Sequence, residues 1–109
     1  MKRLVWLGSS LDEVRNWTAE GQRDSGYQLF KVQSGLEPSD WRPMPGVGKG
    51  VQELRIHCGN EYRIIYTATM AEAVYVLHAF EKKTRKTPRT SLDIARRRLQ
   101  RLLNQRRHT

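Results

Sequence analysis

The fold is decided by residues 51–86, which read VQELRIHCGNEYRIIYTATMAEAVYVLHAFEKKTRK. Three short runs rich in Val, Ile, Leu and Tyr are separated by CGNE and TMAE, two segments typical of tight turns. Runs of this length and composition, joined by connections this short, predict an antiparallel meander of three strands.

Cations interrupt the apolar runs of this meander. Arg55 lies in the middle of the first run and Arg63 in the middle of the second. Four more cations follow the third run, namely Lys82, Lys83, Arg85 and Lys86. A guanidinium is disfavoured among apolar residues unless it faces an anion or a carboxylate. The pattern therefore predicts a sheet with one face left open to an anionic ligand, which we interpret as RNA.

The pairing register decides which side chains share that face, because side chains alternate between the two faces of a strand. An even register, with residue 55 opposite 63 or 65, places both arginines on one face, whereas an odd register puts Arg63 in a small apolar core. We expect the even register. The arginine face is then predicted to hold Glu53, Arg55, His57, Arg63, Val76, His78 and Phe80. The face toward the N-terminal helices is predicted to hold Tyr62, Ile64, Tyr66, Tyr75 and Leu77.

Length and composition predict one domain spanning residues 1–109, with no membrane segment. A chain of 109 residues accommodates a single small core, and its longest apolar runs are far shorter than a membrane span. Cys58 is the only cysteine, so an internal disulfide and a cysteine-based metal site are excluded. We expect a cytoplasmic protein that uses neither a metal nor a cofactor.

The positive charge is concentrated at the C-terminus. Residues 1–80 hold nine Lys and Arg against nine Asp and Glu, whereas residues 81–109 hold eleven against two, which accounts for the net charge of +9. A basic block of this kind is typical of proteins that neutralise phosphates and release their counterions. A solvated basic helix that only keeps the protein soluble is the alternative.

Two helices and an edge strand are predicted before the meander. Residues 2–7 alternate weakly and favour an edge strand. Ser10 and Glu13 match a capping box, which predicts a helix over about 10–20 that ends at Gly21. A second helix is predicted over about 24–34, ending at Gly35. We expect it to direct Tyr27, Leu29 and Phe30 inward.

Residues 36–50 are predicted to form a loop, because they contain three prolines and three glycines. The GVGKG segment at 46–50 does not fit a phosphate-binding loop, since a strand and not a helix follows it. We expect its glycines to form a turn from which Lys49 overhangs the sheet.

A basic helix is predicted over about 88–104. Thr87 and Pro88 are typical of a helix start. An apolar stripe follows at helical spacing, formed by Leu92, Ala95, Leu99, Leu102 and Leu103. Residues 105–109 are expected to fray.

Four stretches in this order resemble the RelE-like toxins of bacterial toxin–antitoxin modules, within them the HigB and phage-derived branch. The stretches are GYQLFKVQSG (26–35), DWRPMPGVGKGVQELRI (40–56), EYRIIY (61–66) and LHAFEKKTRKTP (77–88). The resemblance covers about residues 3–100. It implies an α+β domain of the RelE-like fold, with two N-terminal helices packed on a 3–4-stranded antiparallel sheet and followed by a basic C-terminal helix.

The resemblance also implies a function. RelE-like toxins are metal-independent endoribonucleases that enter the ribosome and cleave mRNA, in a reaction in which the 2′-OH of the message attacks the adjacent phosphate. The enzyme must then orient the nucleophile, move protons and stabilise a doubly charged phosphorane. The implied partners are the ribosome, mRNA and a cognate antitoxin, usually a small helix-turn-helix protein, in a heteromeric complex.

The implied catalytic residues lie on the arginine face and just after it. They are Arg55, Arg63, His78, Lys82 and Lys83, with Arg63 against the scissile phosphate and the lysine pair expected to stabilise charge and protonate the leaving group. Lys49, Arg85, Lys86, Arg89, Arg96 and Arg97 are expected to contact RNA. Glu53 departs from the pattern, because RelE has a lysine there, and the tyrosine of the last RelE helix has no equivalent. His57 or His78 could take over the proton transfer that these missing groups would perform, since an unperturbed histidine has a pKa near 6.5.

Two alternatives remain open at this point. The same fold could act without catalysis, as a gyrase inhibitor or as a module that binds nucleic acid or antitoxin, and the missing lysine and tyrosine favour this interpretation. A DNA-binding protein is less consistent with the sequence, because arginines surround the C-terminal helix instead of forming one reading edge.

Overall fold

The computed structural model describes residues 1–108, which form three helices and five strands. In chain order these are β1 (Arg3–Trp6), α1 (Ser10–Arg15), α2 (Ala19–Gln33), β2 (Trp41–Pro43), β3 (Val51–His57), β4 (Glu61–Thr67), β5 (Ala73–Glu81) and α3 (Arg89–Arg107). The α+β class is as predicted. No helix within residues 1–108 is long and apolar enough to cross a membrane.

The predicted meander is confirmed. Strands β3, β4 and β5 pair antiparallel in sequence order, and Arg55 lies opposite Arg63. This is the even register, so both arginines and Glu53 share one face. The register follows from burial, because the residues on either side of Arg55, Leu54 and Ile56, are almost fully buried on the other face.

The sheet is larger than predicted and is not purely antiparallel. It has five strands in the order β1-β5-β4-β3-β2. Strand β1 confirms the expected edge strand at residues 2–7, but it pairs parallel to β5, with α1 and α2 within the connection between β1 and the meander. Strand β2 lies in the segment predicted to be a loop and pairs with residues 52–54 of β3. The prediction of a 3–4-stranded antiparallel sheet was therefore wrong.

A β-bulge reverses part of the predicted face assignment. Ile65 pairs with His78 and Tyr66 pairs with Val76, so Leu77 is an extra residue without a partner in the register. Residues before the bulge are therefore displaced to the opposite face. Val76 packs with Tyr66 toward α1 and α2, and Tyr75 and Leu77 pack toward α3, so all three were assigned to the wrong face.

The two N-terminal helices have different boundaries from those predicted. Helix α1 ends at Arg15, and α2 begins at Ala19 with Thr18 as its cap, whose side chain accepts a hydrogen bond from the Gly21 amide. Gly21 therefore lies in the first turn of α2 and does not end a helix. The predicted capping box is also absent from α1, because the Ser10 hydroxyl donates to Leu7 O at 2.7 Å.

Helices α1 and α2 cover one face of the sheet. Trp17 stacks on Tyr62 with ring centroids 4.1 Å apart, and Leu29 is buried beside them. The predicted inward direction of Leu29 is confirmed. Tyr27 and Phe30 were wrongly expected to face inward, because they remain 62% and 49% exposed.

Helix α3 covers half of the opposite face. Ala95 and Leu99 pack against Ile65, Leu77 and Phe80, as the predicted apolar stripe requires. The helix extends to Arg107 with His108 as its C-cap, so the expected fraying is wrong for residues 105–107, and residue 109 lies outside the described part of the chain. Because α3 packs here, only the end of the arginine face near His57 and Glu61 is open.

Candidate functional site

Three predicted site residues meet at one end of the sheet. Arg55 lies opposite Arg63, and the backbone N–H of Lys82 donates to Glu61 O at 2.7 Å, which places Lys82 beside the same end of β4. Lys83 follows in an exposed position. We call these three residues, Arg55, Arg63 and Lys82, together with Arg42 of the neighbouring strand β2, the cation cluster.

Arg63 is not open to solvent, contrary to expectation. Its side chain is only 4% exposed, and its guanidinium donates to Tyr62 O at 3.0 Å and to Glu61 Oε1 at 3.1 Å. Its Nε also lies 3.9 Å from a Glu53 carboxylate oxygen. Arg63 therefore forms the floor of the cluster, held by carboxylates of this chain.

Glu53 is the anionic centre of the cluster and has no exposed surface. Its carboxylate accepts from Arg42 Nε at 2.9 Å and from the Thr87 hydroxyl at 3.1 Å. A buried carboxylate is costly unless it is paired and hydrogen-bonded, and these two partners, with Arg63 behind them, supply that compensation. Glu53 thus joins β2, β3, β4 and the segment before α3.

Arg42 is the member of the cluster that sequence reasoning missed. Its side chain is 44% exposed, and its Nη2 lies 3.4 Å from the Thr87 hydroxyl. It lies in β2, within a segment rich in proline and glycine. Arg42 reaches the cluster because residue 42 of β2 is paired with residue 53 of β3, and only a prediction of this strand pairing could have identified it.

Lys82 is a partly buried cation among other cations. Burial lowers the pKa of its ammonium group below the usual 10.5, and the positive charges of Arg63, Arg42 and Arg55 lower it further, while Glu53 opposes them. A lysine with a lowered pKa donates its proton more readily than an exposed lysine does.

His57 is held between two carboxylates at the rim of the site. Its Nε2 lies 2.6 Å from Asp40 Oδ2 and its Nδ1 lies 2.8 Å from Glu61 Oε1. The hydrogen bond with Asp40, and then that with Glu61, raise the pKa of His57 above 6.5, while the bonds with His57 lower the pKa of both carboxyl groups. The imidazolium form can donate from both ring nitrogens.

His78 lies under α3 and not at the open end. Its Nε2 is 3.3 Å from the Ser91 hydroxyl, and its ring stacks on Phe80 at a centroid distance of 5.5 Å. Burial, together with the charge of Arg98, lowers the pKa of His78 to about 4. The ring is therefore neutral near pH 7, which makes it a poor proton donor there.

The residues expected to contact RNA are exposed but not all adjacent to the cluster. Arg85, Lys86, Arg89 and Arg97 are exposed in the segment that leaves the sheet and along α3. Arg96 bonds to Gly46 O at 2.7 Å and to Asp93 at 2.8 Å. Lys49 lies just before β3, at the end of that strand remote from Arg55.

Among the grooves on the surface, two lie along strands β2 and β3. One of about 680 Å³ lies between the end of α2 and the start of β1 and includes Leu36, Trp41 and Tyr66, remote from the cation cluster. One of about 160 Å³ lies beside the cluster and includes Tyr27, Arg55 and His57. Within residues 1–108, no three His, Cys, Asp or Glu side chains are grouped so as to hold a metal ion.

The sheet topology, the basic α3 and the cation cluster define a small basic α+β domain compatible with the RelE-like fold. The family model described as Phage derived protein Gp49-like (DUF891) matches residues 12–100, and the chain belongs to this family. The Gp49-like family is associated with RelE-type toxins of toxin–antitoxin systems. Gp49-like toxins are generally endoribonucleases. Membership of the family implies a cognate antitoxin partner. No curated protein matches the chain.

Proposed function

We propose that this protein is the toxin of a type II toxin–antitoxin system, of the HigB-like branch, and that it is an endoribonuclease that cleaves mRNA on the ribosome. The reaction needs no metal: the 2′-hydroxyl of the message gives up its proton to a base, its oxygen attacks the adjacent phosphorus, and the bond to the 5′-oxygen breaks. The products are a cyclic 2′,3′-phosphate and a 5′-oxygen that takes up a proton. The ribosome as target implies a cytoplasmic location.

The observation that supports this proposal is the position of Lys82 beside Arg42, Arg55 and Arg63 at the open end of the sheet, where burial and then the charge of Arg63 lower the pKa of its ammonium group. A phosphorane carries two negative charges, and preorganised guanidinium and ammonium groups stabilise such charge strongly where water is partly excluded. Lys82 can also supply the proton that the departing 5′-oxygen needs, because its pKa lies below that of an ordinary lysine.

The arginines of the cation cluster differ in how much of each side chain is exposed, and we infer different roles for them from this difference. Arg42 and Arg55 have side chains that are 44% and 32% exposed, so a phosphate can reach them without displacing protein. We infer that these two bind the phosphate with Lys82. Arg63 positions Glu61 and Glu53 behind them, because its side chain is buried and its terminal nitrogens donate to Tyr62 O and Glu61 Oε1.

His57 is a second proton donor that the site offers. Its raised pKa favours the protonated ring, and it lies at the rim next to Arg55 on the same strand. Lys83 is exposed beside Lys82 and contributes charge. His78, expected earlier to transfer protons, is the weaker candidate because it is buried under α3 with a pKa of about 4.

The basic surface that leaves the cluster serves RNA binding. Thr87 contacts Glu53, and α3 begins two residues later, so the arginines of α3 extend directly from the cation cluster. Positive charge along a helix favours contacts with the phosphate backbone, which orient RNA without reading its sequence. The antitoxin, which we expect to be a helix-turn-helix protein, would compete for or cover part of this surface.

A non-catalytic role is the second candidate, and two observations favour it. Glu53 stands where RelE has a lysine, and Arg63 is tied to carboxylates under the rest of the chain. A protein of this kind would inhibit gyrase or bind nucleic acid or antitoxin without cleaving.

Induction in a host that lacks the antitoxin, followed by mapping of the 5′ ends of messages, tests the proposal. We expect new 5′-hydroxyl ends inside translated frames, which disappear with Lys82→Ala and persist with Arg3→Ala, the control variant on the opposite edge strand β1. Growth arrest with DNA damage and intact messages would instead support gyrase inhibition. Absence of arrest with the wild-type protein would contradict the toxin assignment.

A further inference from the structure

A small groove lies around the edge of the sheet, next to the cation cluster. Strand β2 pairs only with residues 52–54 of β3, so beyond Leu54 the sheet edge is bordered by the chain before β2, where the Arg55 N–H donates to Asp40 O at 3.0 Å. The groove of about 160 Å³ opens there. Its walls are Asp24, Tyr27 and Gln28 of α2, Arg55 and His57 of β3, and Asp40.

Tyr27 gives this groove an exposed aromatic wall. The residue is 62% exposed, and the Lys31 ammonium lies over its ring, 5.6 Å from the centroid. A ring has two faces, and a cation over one leaves the other for stacking. Isolated exposed aromatic residues are common and need no function, so the surroundings of the ring decide the matter.

The polar wall of the groove is held in place. Gln28 binds Ser39 twice, by donating to its hydroxyl at 3.0 Å and by accepting from its N–H at 2.8 Å. The Asp24 carboxylate, in contrast, has no hydrogen-bond or ion-pair partner within residues 1–108. A free carboxylate beside an aromatic ring can accept hydrogen bonds from the amino group of a stacked base.

The groove is continuous with the cation cluster. Arg55 belongs to both, and His57, on the groove wall, is bonded to Glu61, which in turn holds Arg63. A phosphate bound at Arg55 therefore leaves the base of a neighbouring nucleotide close to the sheet edge, within reach of Tyr27. Single-stranded nucleic acid is recognised in this way, by cations along the backbone and aromatic rings under the bases.

We propose that the groove between α2 and the edge of β3 is a nucleobase subsite, in which an unpaired RNA base stacks on Tyr27 and presents an amino group to Asp24. The subsite favours adenine, guanine and cytosine over uracil, which lacks an exocyclic amino group. This inference rests on the proposed function, because it takes the phosphate at the cation cluster as its reference point.

The test uses a short single-stranded oligonucleotide with 2′-deoxy sugars, which cannot be cleaved, and one 2-aminopurine in a pyrimidine context. Stacking quenches 2-aminopurine fluorescence, so the full-length protein should quench it on binding. Tyr27→Ala should abolish the quenching and weaken binding from about 5-fold to about 150-fold, the range that corresponds to the loss of one stacked base. Tyr27→Phe should retain both.

Phe30→Ala is the matched control, because Phe30 is an exposed aromatic residue of the same helix that does not line the groove. It should bind and quench as the wild-type protein does. An oligonucleotide with an abasic site in place of 2-aminopurine should bind wild type and Tyr27→Ala equally. Equal weakening by Tyr27→Ala and Phe30→Ala, or no preference over the abasic oligonucleotide, would overturn the subsite.

Mapping of the 5′ ends of messages after induction separates failure of the subsite from failure of the proposed function. New 5′ ends together with no effect of Tyr27→Ala on oligonucleotide binding mean that the subsite is wrong and the nuclease stands. Tyr27-dependent quenching without cleavage means that the subsite stands and the nuclease does not. If Tyr27→Ala leaves RNA binding intact and weakens co-purification with the antitoxin, the ring belongs to a protein interface and the subsite is refuted.

Discussion

Arg42 donates through Nε to the carboxylate of Glu53 at 2.9 Å, and this carboxylate has no exposed surface while the guanidinium is 44% exposed. The pair therefore has one end inside the protein and one end available to a ligand. It joins the short strand β2 to β3 at the position where the cation cluster opens. An arginine from the neighbouring strand thus supplies positive charge beside a buried anion of β3.

Glu53→Gln should lower the free energy of unfolding by about 3–5 kcal/mol, the usual cost of breaking a buried ion pair by removing one partner. Arg42 and Arg63 would remain close together without their shared counterion. Urea denaturation measures the change. Glu20→Gln, at an exposed position in the first turn of α2, should cost less than about 1 kcal/mol. Equal midpoints for the two variants would contradict the central role of Glu53.

His57 should make the stability depend on pH above about 6.5. Its pKa in the folded protein is raised above 6.5 by Asp40 and then Glu61. Its contribution is therefore fully present below about pH 6.5 and is lost as the pH rises through the folded pKa. The ring is half exposed, so solvent weakens the effect and the slope is shallow.

The measurement is the difference in unfolding midpoint between wild type and His57→Gln from pH 6 upward. Wild type should lose its advantage as the pH rises. His78 is present in both proteins, so its own contribution to the slope cancels in this difference. The pKa of His78 is lowered to about 4, so its effect appears only as the pH falls below 6.5, and with the opposite sign. A constant difference between wild type and His57→Gln would show that the two carboxylates do not hold a proton on His57.

The face that carries the arginines could be predicted because an arginine is intolerable in a small core. Leu54 and Ile56 flank Arg55, so only one register keeps all three in suitable surroundings. The bulge at Leu77 could not be found in this way. The residues around it, AVYVLHAF, are nearly all apolar, so a one-residue insertion leaves the hydrophobic pattern unchanged.

Arg42 was missed for a different physical reason. A three-residue strand next to proline has too few positions to show alternation, and its stability comes from pairing with β3. The burial of Arg63 was also invisible in the sequence, because it depends on Glu53 and Glu61 approaching from two strands. Residue types predicted that Arg55, Arg63 and Lys82 would meet, but not that Arg42 would join them, and only packing determines which of them faces solvent.

Arg42→Gln should reduce the salt dependence of RNA binding. If Arg42 contacts a phosphate, its loss removes one released counterion and lowers the slope of log affinity against log salt by about 0.7 for single-stranded RNA. Titration of a short RNA across a salt series measures this slope. Arg3→Gln removes one exposed charge on the opposite edge strand β1 and should leave the affinity for such a short RNA nearly unchanged. The same reduction for both variants would mean that charge acts diffusely and that the cluster is not the phosphate site.

Lys82→Arg should separate binding from proton transfer. Arginine keeps the positive charge beside Arg42 and Arg55, so affinity for a non-cleavable RNA should change little, but a guanidinium does not release its proton at any relevant pH. If Lys82 protonates the leaving 5′-oxygen, the cleavage rate should fall by about 10²–10⁴-fold.

Single-turnover cleavage across a pH series completes this test. The wild-type rate should decline as the pH rises through the pKa of Lys82, which burial and then Arg63 hold below 10.5, because only the protonated amine can donate. Lys83→Arg is the matched control, since the neighbouring lysine is exposed, and it should keep both the rate and the decline. Cleavage by Lys82→Arg at the wild-type rate would assign the proton to another group, with His57 as the next candidate because its imidazolium lies at the rim of the same site.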